Sequence, residues 1–153
     1  LRPLFLDKTM IKYIINTPYG SKIIKQGEIV ESKLNNLSII KRLCLQNLFT
    51  YEGYLKAVTK IFNVKHNIPV YINKDNLFIP IKRVREYDNI WINYQTVLTF
   101  YETNSKTTIV FNDYEKIIIN LKYNLFNRRV ELLNRIVKYQ KTSKNTPFLN
   151  LKP

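Results

Sequence analysis

The sequence predicts an α+β domain. Antiparallel sheet surrounds a central helix pair at about residues 33–62, and an amphipathic C-terminal helix follows at about residues 123–141. Three observations predict it. Short runs of β-branched and aromatic residues recur along the chain, separated by turn-forming residues only a few positions long, which implies strands pairing in antiparallel succession. Over 33–62 and again over 123–141 the apolar spacing switches to three and four, the period of helices pressed on a core. The 153 residues, 45% hydrophobic and 13% aromatic, suffice for one domain that hides roughly two-thirds of its unfolded surface. The domain is expected over 1–141, with 142–153 a flexible tail that is polar and carries two prolines.

Residues 10–16, MIKYIIN, read as a strand ending at the turn Thr17-Pro18-Tyr19-Gly20, where Pro presets φ and Gly tolerates positive φ. Two short strands, 21–24 and 28–31, flank Gln26-Gly27, and Leu4 and Phe5 are expected to add an edge strand. From Lys33 the period is helical, with Leu34, Leu37, Ile40 and Cys44 on one face. The pattern slips at Gln46-Asn47 and resumes at Thr50, an N-cap type, to run to Phe62. Its core stripe is expected to be Ile40, Leu43, Cys44, Leu48, Tyr51, Leu55, Val58 and Phe62. Strands 68–72 and 76–79 flank Asn73-Lys74-Asp75, a hairpin signal, with Pro69 and Pro80 placing them at an edge or near their ends. A charged connector, 81–88, leads to strands at 90–93, 96–102, 107–112 and 114–121. The last helix has a stripe of Phe126, Val130, Leu133 and Val137, widened by Leu125, Leu132 and Ile136, with Arg128, Glu131, Arg135 and Lys138 opposite.

Charge carries most of the functional information. Lys and Arg number 25 against 11 Asp and Glu, a formal charge of +14 with pI near 9.9. An A/T-rich coding sequence enriches lysine, but it would enrich glutamate as well, so the excess of base points to a polyanion, above all nucleic acid. One cysteine excludes an internal disulfide and fits a reducing cytosol; with one histidine it excludes a structural zinc site within the chain. No apolar run approaches the length of a membrane span, and the start LRPLFLDKTMIKY lacks a signal-peptide layout.

Catalytic patterns fail. Gly20, Gly27 and Gly53 are too scattered for a phosphate-cradling loop. Nothing places His66 beside Cys44 or a serine as a base. Asp113 and Glu115 beside Lys116 lack the spacer of a nuclease metal site. No enzyme activity and no cofactor are expected. Basic surface remains: Lys82, Arg83 and Arg85 in the connector, Arg128, Arg135 and Lys138 on the last helix, and the pair Lys41-Arg42. The helix pair has the outline of a helix-turn-helix, whose second helix would present Glu52, Lys56, Thr59 and Lys60. Trp91 alternates with Ile90 and Ile92, so both faces of that strand must accept bulk, and the indole is assigned to the core.

Several blocks share order and spacing with a known family. Ile39-Ile40-x-x-x-Cys44 is followed by Tyr51-x-Gly53, then by Ile61, Val64 and Pro69. Next come Phe78-Ile79-Pro80, Arg85, Asn89-Ile90-Trp91-Ile92-Asn93, Thr108-Ile109-Val110-Phe111-Asn112 and Tyr123-Asn124. Over roughly residues 39–130 the chain resembles the competence transcription factor family, ComK. The resemblance implies a bacterial, cytoplasmic activator of competence genes that joins the nucleoid when bound. It implies a homodimer or higher oligomer that binds A/T-rich double-stranded DNA largely through the minor groove, with RNA polymerase and a proteolytic adaptor as further partners. Lys56 and Lys60 join Lys82, Arg83 and Arg85 as DNA-contact candidates on this ground. The chain departs from the family pattern where Tyr54-Leu55 stand for two basic residues, Asn67-Ile68-Pro69 for Lys-Pro-Pro, and Ile79-Pro80-Ile81-Lys82-Arg83 for Phe-Pro-Thr-x-Ser. The alternative is a basic protein-interaction module or inhibitor, a divergent paralogue without DNA binding.

Overall fold

In a computed structural model, residues 9–144 are described. The order is β1 (Ile11–Thr17), β2 (Gly20–Lys25), β3 (Glu28–Ser32), α1 (Asn36–Gln46), α2 (Tyr51–Phe62), β4 (Val70–Asn73) and β5 (Asn76–Pro80). Then come β6 (Ile90–Asn93), a 3-10 turn at Tyr94–Thr96, β7 (Val97–Thr103), β8 (Lys106–Phe111), β9 (Lys116–Ile119) and α3 (Tyr123–Lys144). All the strand pairs are antiparallel. One sheet has the order β3-β2-β1-β6-β5-β4 and the other β7-β8-β9. The fold is α+β, with the helix pair in the middle and the amphipathic helix last, as its periodicities require.

Sheet side chains alternate between two cores. Ile14, Val70, Ile72, Phe78 and Trp91 face α1 and α2, meeting Ile39, Ile40, Cys44, Tyr51, Tyr54 and Val58. Ile79 and Ile92 face the other way, toward Ile109, Phe111 and Ile119 of the second sheet. Trp91 and Ile92 therefore serve different cores, and both are fully buried. α3 belongs to both, giving Leu132 and Ile136 to the first core and Phe126, Val130 and Leu133 to the second.

Local chemistry sets the helix ends. Asn35 Oδ1 accepts from Ser38 N–H at 2.8 Å, and Thr50 Oγ1 from Gly53 N–H at 3.0 Å. A Cβ on Gly53 would stand 2.8 Å from Thr50 Oγ1, so any other residue there would make the capping hydroxyl shift. α1 ends in a Schellman pair, Phe49 N–H to Cys44 O and Leu48 N–H to Leu45 O, with Leu48 at φ 68 in the position usually held by glycine. That geometry corrects the expected stripe: Leu48 is 95% exposed, because the turn swings it off the helix face. Three other boundaries move. α1 begins at Asn36, not at Lys33. β9 is confined to Lys116–Ile119, because Phe111 N–H bonds Glu115 O and Tyr114 sits at φ 69, making 111–115 a turn. α3 continues to Lys144 rather than stopping near 141. The edge strand expected at Leu4 and Phe5, and residues 145–153 of the expected tail, lie outside the described residues.

Pro69 precedes β4, the sheet edge, but Pro80 closes β5, an interior strand; there it pairs opposite Trp91 at the strand's last position. A buried cation ties the two sheets. Lys12 on β1, its side chain 2% exposed, reaches Asp113 at 2.9 Å and also Glu115, both in the β8–β9 turn. Its ammonium lies 5.2 Å from the Phe111 ring centroid, and Tyr13 stacks on that ring at 5.6 Å. Burial works against the ammonium, but Glu115 and Asp113 outweigh it and raise Lys12 above the ordinary lysine value. Burial likewise pushes the Asp113 carboxyl up, and Lys12 together with backbone N–H donors, that of Glu115 among them, more than reverses this, leaving it below its ordinary range.

Lys12→Ala is expected to cost about 2–4 kcal/mol in urea unfolding, since it leaves two carboxylates facing an emptied apolar site, and Lys12→Met less than half of that. The wild-type contribution from Asp113 holds above the unfolded carboxyl range near pH ~4 and is lost as pH falls through the folded value. That from Lys12 holds below the unfolded lysine value of about 10.4 and is lost as pH rises through the folded value. Stability measured against pH should therefore plateau between these limits in the wild type, and the margins should flatten in Lys12→Met.

Candidate nucleic-acid interface

Strand β6 enters from the charged connector, and its flanking asparagines hold that connector in shape. Asn89, fully buried, accepts Ile81 N–H and Lys82 N–H on Oδ1, both at 2.9 Å. Its carbonyl accepts Asn36 Nδ2 at 2.7 Å; Asn36 N–H donates to Asn16 Oδ1 at 2.7 Å, and Asn16 Nδ2 donates to Tyr87 O at 2.8 Å. The loop is thus bonded to α1 and β1 through a ring of asparagines. Two successive turns shape it, Glu86 N–H to Arg83 O and Asn89 N–H to Glu86 O, while Glu86 Oε2 takes Arg83 N–H at 3.1 Å. Lys82 is ion-paired to Asp88, which raises the lysine and lowers the carboxyl from their ordinary values. Lys82 therefore fastens the loop.

Arg83 and Arg85 project from this frame as exposed side chains. With Tyr51, Leu55 and Thr59 of α2 and with Lys65, His66, Asn67 and Ile68 they line a cleft of about 380 Å³. Residues 63–67 connect α2 to β4. Asn63 at φ 56 ends the helix with its N–H on Thr59 O, and Asn67 at φ 55 turns the chain into β4; asparagine tolerates this left-handed region. Lys65 and His66 are held outward between them. Beyond the same connection lies a second cleft of about 400 Å³, lined by Val64, His66, Asn67, Leu125, Arg128, Arg129, Glu131, Leu132 and Arg135. The two clefts meet at His66 and Asn67.

Together they carry six cationic side chains, Lys65, Arg83, Arg85, Arg128, Arg129 and Arg135, against two carboxylates, Glu86 and Glu131. Among the described residues the ion pairs use Lys12, Lys41 and Lys82 and leave all six free of carboxylates. Arg129 is half-buried and donates to Pro80 O at 2.7 Å, and burial lowers its pKa. Arg135 stacks 5.2 Å from the Phe62 ring centroid. Burial pushes the Tyr51 hydroxyl up to about 12, with Cys44 and Glu52 adding and Arg85 opposing. Tyr51 stays neutral, edge-on to Trp91 at 6.5 Å.

The structure brings Arg83, Arg85, Arg128 and Arg135 onto this surface. Lys56 and Lys60 are exposed on α2, each one residue round from the cleft-lining Leu55 and Thr59, and Lys138 is exposed a turn beyond Arg135. Arg42 is exposed on α1. Lys41 is paired to Glu52 at 3.1 Å and lies 6.0 Å from the Tyr51 ring centroid, and Lys82 serves its loop. Sequence reasoning missed Lys65, His66, Asn67 and Arg129. The first three sit in a short connection between two strong elements, and Arg129 was hidden by the apolar stripe that it borders. His66, dismissed as a catalytic base, joins the two clefts, while Cys44 is fully buried with its thiol pushed up to about 11 by burial and by Glu52. Among the described residues no group of three or more His, Cys, Asp or Glu could hold a metal ion, and no helix is long and apolar enough to cross a membrane.

A family model described as ComK protein matches residues 7–144, from just before β1 to the last residue of α3. The chain belongs to the ComK family. The match extends the resemblance seen at 39–130 to the β1–β3 meander and to all of α3. ComK proteins are competence transcription factors, a family of regulators rather than of enzymes. No curated protein and no solved structure gives a significant match to the chain.

Asn89→Ala is expected to cost about 1–3 kcal/mol, because the part-buried Lys82 N–H loses its acceptor and the buried Ile81 N–H keeps only Ile90 O. Hydrogen exchange at Lys82 and in the loop behind it should accelerate, while exchange in β8 stays unchanged.

Proposed function

We propose that this ComK-family chain is a sequence-preferring DNA-binding regulator of competence genes that docks on A/T-rich duplex through the paired basic clefts. The observation that supports this reading is the convergence of six carboxylate-free cations on two adjoining clefts. Lys65, Arg128, Arg129 and Arg135 engage phosphates. Arg83 and Arg85, on the fastened loop, enter the minor groove, where the negative potential over A/T tracts is strongest. Arg42, Lys56, Lys60 and Lys138 flank the footprint. A family-like homodimer or higher oligomer doubles the surface, and binding places the protein on the bacterial nucleoid in the cytoplasm, within reach of RNA polymerase and of a proteolytic adaptor.

Six cations brought against the duplex, four on phosphates and two in the groove between them, displace counterions as six neutralised charges and give a slope of about −5 for log affinity against log salt, at about −0.9 each. A duplex titration at several salt concentrations measures it, and a minor-groove drug should displace the protein from A/T-rich duplex. A flat salt response removes the proposal, and equal affinity for heparin would favour the protein-interaction module instead. Arg83→Ala with Arg85→Ala should weaken binding by about 2–4 kcal/mol and make the slope shallower by about 2, with thermal stability unchanged.

A further inference from the structure

Two of the most exposed aromatic rings sit beside the basic loop. Tyr87 is 60% exposed within it, and Tyr19 is 90% exposed in the β1–β2 turn. The two segments, not the rings, are joined at Asn16 of the same hairpin, whose amide donates to the Tyr87 carbonyl at 2.8 Å. Asn16 pairs with Ser21 in the hairpin, one register position before the Thr17–Gly20 pair that closes the turn.

Tyr87 is presented rather than loosely attached. Its carbonyl is fixed to β1, and the turns at Arg83–Glu86 and Glu86–Asn89 bracket it. The neighbouring carboxylates are occupied, Glu86 by the Arg83 N–H and Asp88 by Lys82. With Lys82 and Asp88 cancelling, and Glu86 keeping its charge because its partner is a backbone N–H, Arg83 and Arg85 leave the loop net positive, so a polyanion is drawn toward the ring. An exposed ring on a rigid, cationic loop is the arrangement by which minor-groove proteins open a base step. Apolar side chains wedge between base pairs, at least cost where a pyrimidine precedes a purine, and a ring offers a stacking face as well.

We infer that Tyr87 inserts between base pairs at a deformable step of the bound duplex, with Tyr19 lying against the sugar edges beside it. The inference rests on the DNA-binding reading and adds to it the residue that selects for DNA flexibility. The test is an A/T-rich duplex with one central TA step whose adenine is replaced by 2-aminopurine, a base that brightens when unstacked. The wild type should raise its fluorescence on binding, Tyr87→Phe should raise it equally, and Tyr87→Ala should leave it at the level of free duplex. Affinity of Tyr87→Ala should fall about tenfold, the effect of one lost base–aromatic stack, with the salt slope unchanged because no charge is altered. If Tyr87→Ala brightens the probe as the wild type does, or if the wild type binds with a steep salt slope and leaves the probe dark, the insertion is wrong and the DNA-binding reading stands. A wild type that shows no salt-dependent duplex binding overturns both.

Discussion

Strand β6 is the constraint on which this structure depends. It lies between β1 and β5, so each of its edges is paired, and it is closed at each end by a fully buried asparagine. Asn93 works at one end, its Nδ2 on Ile11 O and Asp75 O and its Oδ1 on Leu77 N–H and Gln95 N–H. Asn89 works at the other. Buried amides are tolerated only when partnered, so these two fix the register of three strands and the path of two loops together. Asn89 Nδ2 and Trp91 Nε1 nevertheless find no acceptor among the described residues. That concentrates uncompensated polarity at the root of the basic loop, in the strand that the fold can least afford to move.

From that strand the rest follows by packing. Trp91 on one face anchors the helix layer, and Ile92 on the other anchors the second sheet. α2 is thereby set with Tyr51, Leu55 and Thr59 turned to the basic loop, and Tyr54 OH spans Pro69 O at 2.7 Å and Tyr71 N–H at 3.1 Å. The 63–67 connection must then pass between the loop and α3. Cations from three separate stretches of chain converge because the backbone leaves them no other place, and their carboxylate neighbours are few.

The sequence made the architecture legible wherever periodicity was strong. The α2 and α3 stripes, the 73–75 hairpin and the opposed faces of Trp91 and Ile92 all read correctly, because burial imposes the period on residue choice. It failed where backbone geometry and not burial decides. Leu48 looked like a core residue because it continued a stripe, but a left-handed turn carries it outward. Residues 114 and 115 looked like strand, yet they belong to a turn whose acids serve Lys12, a partner about a hundred positions away. Four of the six cleft cations, Arg83, Arg85, Arg128 and Arg135, were legible as clusters in the sequence. Arg129 and Lys65 were not, since one borders an apolar stripe and the other stands alone in a connection.

α3 belongs to both cores and also supplies Arg128, Arg129 and Arg135 to the clefts. The two halves of the molecule therefore share one girder, and neither retains a complete interior without it. Loss of that helix to a protease would strip three of the six cleft cations and open both cores in the same stroke. A chain cut ahead of it would keep Lys65, Arg83 and Arg85 with neither core closed beneath them.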